Sequence, residues 1–215
     1  MERELKQFID QTMAKGATYV DARWYPFEES NSLVMWNGNL KALNASSESG
    51  VGVRVLYRGA WGFSASSSIG NLGDIFDKAY DNARVAAERV TFPVRLAEKD
   101  SLQASFSSPN EIDPFTVPMS EKVAFLQKMD MALNQPGVVQ RITAVEFVKK
   151  KIIFLDSEGS QIEKTIIDVF PMIMVMGMDK DGGMQRRKFR AGRLGKTRGW
   201  ETLDTEFFTA QAERI

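Results

Sequence analysis

The residues able to carry chemistry in this chain are defined first by what is missing. Its 215 residues include no His and no Cys. The commonest general base and metal ligand are therefore absent, along with every thiol nucleophile, disulfide and Cys- or His-based zinc site. Chemistry would have to run on Asp, Glu, Lys, Ser, Thr or Tyr. None of these stands in a GxSxG, GxxxxGK[ST], GxGxxG or EF-hand pattern. The remaining candidates recognise rather than react. Arg54 lies on the Val51–Tyr57 strand among the inward valines. Its guanidinium fork suits a peptide carboxylate, or it pairs with a neighbour such as Glu48. Trp61 and Phe63 alternate with Gly62 and Ser64, as core packing or as a binding platform. Arg190 belongs to a basic run. Arg54, Trp61 and Arg190 are the candidate substrate-binding residues; no catalytic residue and no metal ligand is assigned. Asp74, Asp77 and Asp81 share a helix face that reads as solvent.

These residues need strands to hold them, and the strand signals are strong between 30 and 66. Leu33 and Met35 alternate up to Asn37-Gly38, and Leu40 and Ala42 lead away. Asn-Gly between alternating runs predicts a tight hairpin, since both residues tolerate positive φ. Val51, Val53, Val55 and Tyr57 form a second run, with Gly59-Ala60 read as its turn and Trp61–Phe63 as its return. Gly50, Gly52, Gly59 and Gly62 mark turns and bulges, or a close approach by an extended peptide. Helical spacing covers 2–15, and 69–92 with Asn71 as N-cap and Pro93 as terminator. Residues 17–28 read as a separate strand.

Residues 93–119 carry Pro93, Pro109, Pro114 and Pro118 and read as a connector. The expected organisation is a helix/β-meander/helix subdomain at 1–92, this connector, and a helix plus antiparallel β subdomain at 120–215. In the second subdomain, Ser120 caps a helix to Asn134. Strands follow around Ser157-Glu158-Gly159 and Asp181-Gly182-Gly183. Met172, Met174, Met176 and Met178 alternate and read as a buried strand face. The tail from Thr202 begins a helix bearing Phe207 and Phe208, an apolar pair expected to seek a partner. The class is α+β, with antiparallel β-meanders packed against a few amphipathic helices.

Composition narrows the partners. The 28 basic and 28 acidic residues cancel, so no global field steers the chain to nucleic acid. Lys180–Arg198 does hold eight basic residues against Asp181 alone. It reads as a solvated, charge-protected edge strand, and Lys149-Lys150-Lys151 as a solvated strand end. The charged N-terminus lacks the apolar core of a signal peptide, and no apolar stretch reaches the ~20 residues of a membrane span. A cytoplasmic protein with no membrane partner is expected.

The wording of the strands then becomes specific. Asp21-Ala22-Arg23, Asn37-Gly38, Gly50-Val51-Gly52-Val53-Arg54-Val55 and Gly59-Ala60-Trp61-Gly62-Phe63-Ser64-Ala65 precede a helix containing Ala79, Ala83-Arg84 and Ala86-Ala87. Later come Asp156-Ser157-Glu158-Gly159, Asp181-Gly182-Gly183 and Gly199-Trp200-Glu201. This order resembles the N-terminal half of the TldD/PmbA family, whose members are also described as modulators of DNA gyrase. The resemblance implies a protein of roughly twice this length that works as a homo- or heterodimer with a subunit of the same family. It also implies a C-terminal part with a zinc-peptidase motif of the HExxxH type. No metal ligand carries over to a chain without His, so zinc is implied only for that further part. The expectation is a structural and substrate-guiding region acting in peptide proteolysis or maturation, not catalytic by itself. The alternatives are a dimerising binding module, or a gyrase-modulator-type protein using residues 180–198.

Overall fold

The structure is a computed structural model that describes residues 1–178, 181–189, 195–206 and 210. Arg190, Phe207 and Phe208 lie outside the described residues. The helices bounded within the described residues are α1 (Glu2–Ala14), α2 (Leu72–Ala87) and α3 (Met119–Ala132). The strands are β1 (Tyr19–Trp36), β2 (Asn39–Tyr57), β3 (Ala60–Ser66), β4 (Gln103–Ser107), β5 (Val138–Asp156), β6 (Gln161–Met178) and β7 (Met184–Phe189). They form a seven-stranded sheet in the order β3-β2-β1-β5-β6-β4, with β7 also paired to β6. The α+β class follows. The sheet is antiparallel apart from β4, which runs parallel to β6 with Gln103 opposite Gln161. No described helix is long and apolar enough to cross a membrane.

Several local expectations hold. Asn37 and Gly38 take φ of 47° and 75°, as the tight hairpin between β1 and β2 requires. Asn71 caps α2 by accepting from the Asp74 backbone N–H at 3.4 Å. Others shift. The β2–β3 turn is Arg58-Gly59, with Tyr57 opposite Ala60. Pro118 stands at the N-cap of α3, which leaves Ser120 inside the helix. Residues 17–28 are no separate strand, because β1 continues through the polar stretch Glu28–Ser32. β6 likewise runs through Pro171. Lys149–Lys151 sits within β5 rather than at its end, with Lys149 paired to Asp113 and Lys151 to Glu163.

Two compact units divide the chain, each assembled from three stretches. The first comprises Met1–Glu28, Glu48–Ser107 and Lys150–Thr165. One of the boundaries between the units, Ser107 to Ser108, falls inside the stretch 93–119. The first core gathers Leu5 and Ile9 of α1 and Leu72, Ile75, Phe76, Ala79 and Ala83 of α2. These meet Val20, Ala22, Val51, Val53, Val55, Ile153 and Leu155 from the strands. Both helices thus cover one face of this unit's strands. Gly62 marks a close approach of a helix, not of a ligand: a Cβ there would overlap the Ala79 carbonyl and the Ala83 backbone of α2.

The second unit comprises Glu29–Ser47, Ser108–Lys149 and Ile166–Ile215. Phe125, Leu126 and Met129 of α3 and Leu133 at its C-cap pack on Leu33, Met35, Val145, Phe147, Val169, Ile173 and Val175. The methionine face is therefore corrected. Ile173 and Val175 turn inward, Met172, Met174 and Met176 are half-buried on the opposite face, and Met178 is exposed. Alternation separates two faces but does not say which one meets a helix when both are apolar.

Lys122 of α3 is 1% exposed in this unit. It donates to Asn31 Oδ1 at 2.7 Å and lies over the rings of Phe147 and Phe115 at 5.0 and 5.5 Å. Burial pushes its pKa down, opposed by the Asp113 charge. A lowered folded pKa means that the unfolded chain binds more protons in the window up to the ordinary lysine value of ~10.4. Stability from this group therefore rises with pH as that value is approached. Lys122→Met lacks this slope. The stability gap, wild type minus variant, should grow between neutral and alkaline pH; urea denaturation at several pH values that gave a flat gap would contradict this.

Candidate functional site

Strand alternation in the first unit produces a second face that no described helix covers. On β2, Val51, Val53 and Val55 turn to the core, so Gly50, Gly52 and Arg54 turn away. On β1, Val20 and Ala22 turn inward and Tyr19, Asp21, Arg23 and Tyr25 share the opposite side. β3 adds Phe63 opposite Arg54 and Ala65 opposite Gly52. A groove of about 400 Å³ opens here, lined by Arg23, Tyr25, Gly50, Gly52, Arg54, Phe63 and Ala65 among others. Gly50 and Gly52 leave its floor without side chains.

Arg54 stands at the groove between an acid and an aromatic ring. Its Nε reaches Asp21 Oδ2 at 3.0 Å and its Nη2 the same oxygen at 2.7 Å. Its guanidinium lies 5.1 Å from the Trp61 ring, and Trp61 meets Tyr19 edge-on at 5.9 Å. The hydrogen bond to Asp21 raises the Arg54 pKa beyond its already high value, against the cost of burial. Asp21 has a side chain 1% exposed and also draws Arg23 Nη1 to 3.7 Å. Arg23 in turn lies 5.4 Å over Phe154. Burial, then the Asp21 and Asp156 charges, push the Tyr19 hydroxyl well above its ordinary range. Tyr19 therefore stays protonated and is no base.

A second ion pair lies on the same side of this unit. Asp156 accepts from Lys99 Nζ at 2.6 Å and from the backbone N–H groups of Glu158 and Ser160 at 3.0 and 2.8 Å. Burial alone would raise the Asp156 carboxyl. The hydrogen bonds from Lys99 and Ser160 outweigh it and hold the group below the usual carboxylate range. The Asp156 hydrogen bond likewise raises Lys99. Each acid here is matched by a cation, Asp21 by Arg54 and Asp156 by Lys99. No group of three metal-ligating side chains occurs among the described residues. The arrangement can bind and orient.

Of the three residues singled out from sequence, the structure brings Arg54 and Trp61 together, while Arg190 lies outside the described residues. Glu48 is not the partner of Arg54: it sits six residues along the same strand, roughly 20 Å away. Phe63 is not core, being 58% exposed at the groove. Sequence reasoning missed Asp21, Arg23, Lys99 and Asp156. The signal for the first two was their alternation with Val20 and Ala22.

Comparison with known proteins defines the class. Residues 27–83 match PmbA/TldA metallopeptidase domain 1, and residues 112–215 match the PmbA/TldA metallopeptidase central domain. The chain belongs to the PmbA/TldD family. Metalloprotease MJ0996 of Methanocaldococcus jannaschii is 27% identical over 179 residues, 82% of this chain and 39% of that protein. A metalloprotease of Methanothermobacter thermautotrophicus is 27% identical over 177 residues, 82% of this chain and 37% of its own length. The chain thus spans about two fifths of the curated relatives it matches. A candidate modulator of a DNA gyrase from Thermotoga maritima shares the fold with a TM-score of 0.76 at 16% identity, over 100% of this chain and 47% of that one. TldE from Thermococcus kodakarensis does so at 0.67 and 11% identity, over 97% of this chain and 46% of its own.

Proposed function

We propose that these residues form the structural and substrate-guiding region of a metallopeptidase that acts in peptide proteolysis or maturation, and that they are not catalytic by themselves. One observation carries the reading: two metallopeptidase-family domains match a sequence with no His and no Cys. The relatives that carry the metalloprotease name extend well beyond the matched stretch. In this reading zinc is held, and water activated, by residues outside these 215. The groove beside Arg54 handles peptide, and the working partner is a second subunit of the same family.

The test uses the purified chain with zinc and a mixture of peptides. No hydrolysis is expected, since neither a metal-activated water nor an activated nucleophile is on hand. Equilibrium dialysis should find no stoichiometric, tight zinc site. Chelator-sensitive cleavage that co-purifies with the chain would overturn the reading. Light scattering on the same sample checks the pairing, which predicts a mass near twice 24.2 kDa.

A further inference from the structure

The groove has a charge it does not balance. Its lining includes two arginines and no acid. The nearest carboxylate, Asp21, is buried beneath them and shared by both. Two guanidiniums against one carboxylate leave one positive charge facing an open trench. Arg54 spends Nε and Nη2 on Asp21, so its Nη1 edge has no protein acceptor among the described residues. Arg23 touches Asp21 only as an ion pair at 3.7 Å and has its guanidinium 5.4 Å from the centre of the Phe154 ring.

The trench is also shaped for extended chain. Gly50 and Gly52 alternate with inward valines, so nothing rises from β2 until Arg54. Phe63 and Ala65 wall one side, and Arg23 and Tyr25 the other. A bare strand between two walls lets a peptide backbone lie close, and a fixed arginine fork at its end selects a planar carboxylate. A nucleic acid would need phosphate contacts repeated along a basic stripe, which this lining lacks.

We infer that this trench binds an acidic peptide segment in extended form, its backbone over Gly50 and Gly52 and a carboxylate against Arg54 and Arg23. The inference rests on the peptide-handling reading above and adds a sequence preference to it. Acidic segments are drawn in, and their Gln counterparts are held less tightly.

The test is fluorescence anisotropy of the whole chain with a labelled peptide of alternating Glu and Ala, and with its Gln/Ala counterpart. The Glu peptide should bind roughly 10-fold more tightly, the scale of one charge-assisted fork. Added salt should erase the difference. Arg23→Gln, which breaks no hydrogen bond and leaves the Arg54–Asp21 pair intact, should bring the Glu peptide down to the Gln level. Gly52→Val fills the floor; the nearest atoms to its Cβ are the Phe63 ring, at 3.4 Å, and the Ala65 methyl, at 4.0 Å. It should abolish binding of both peptides while thermal unfolding stays near wild type. Equal affinities for the two peptides, both lost in Gly52→Val, overturn the acidic preference and leave the peptide-handling reading standing. Binding unaffected by Gly52→Val overturns the site, and so does an absence of binding by either peptide. An oligothymidylate that binds more tightly than the Glu peptide overturns the assignment to peptide. Hydrolysis by the chain alone would sink the earlier reading without changing these affinities.

Discussion

Gly62→Ala should cost at least about 3 kcal/mol, the upper range for forcing extra volume into a packed core. The added methyl would overlap the Ala79 carbonyl and the Ala83 N–H and stand 2.8 Å from Ala83 Cα. These are backbone atoms of α2, so no rotamer change relieves the contact. Ala79 and Ala83 are themselves fully buried. The sequence has thus placed three small residues where helix and strand touch. To accept the methyl, α2 would have to lift off β3 and pull Ile75 and Phe76 from the core. The control is Gly70→Ala, whose Cβ would meet nothing closer than the Ser68 hydroxyl at 3.9 Å. It should stay within about 1 kcal/mol of wild type. Urea denaturation compares the two; equal midpoints would show that α2 is not seated on Gly62.

Arg141→Leu should be comparably damaging in the second unit, at about 3–5 kcal/mol, because it strands a buried charge. Asp130 is 3% exposed, and its Oδ2 takes Arg141 Nε at 3.2 Å and Nη2 at 3.1 Å. Its Oδ1 is buried with no partner among the described residues. Arg141 also gives Nη1 to Asn134 at 2.7 Å, and its backbone exchanges hydrogen bonds with Asn37 of the β1–β2 turn. Removing the arginine leaves Asp130 with neither water nor a cation. The double variant Asp130→Leu/Arg141→Leu should recover most of the loss, since two apolar groups need no partner. If the double variant is as unstable as the single, volume rather than charge is responsible.

What could be read ahead of the structure followed from how local each signal was. The α2 cap at Asn71 and the Asn37-Gly38 turn depend on neighbours within a few residues, and both were legible. The extent of β1 was not. Residues 17–28 read as a separate strand, yet a strand paired on both sides is held through the polar Glu28–Ser32 by backbone hydrogen bonds whatever its side chains. β4 was hidden too, as five exposed residues inside a Pro-rich connector that only its pairing with β6 makes a strand. At the candidate site, alternation put Arg54 on its face correctly. Its partner Asp21 lies on another long strand, where one bulge would change every pairing, so no local pattern could name it. The methionines failed by symmetry, because both faces of Met172–Met178 are apolar.

The way the long strands are shared between the units also sets a timetable for synthesis. Ile153 and Leu155 are part of the same core as Leu5 and Val20. A growing chain that has released α1, the first three strands and α2 still lacks that piece. Its apolar strand faces must wait, open to chaperones or to mispairing, until β5 emerges from the ribosome. The second core waits longer still, since it needs Val169, Ile173, Val175 and Leu203. The stretch between α2 and β5, which carries α3, is made while both units remain incomplete.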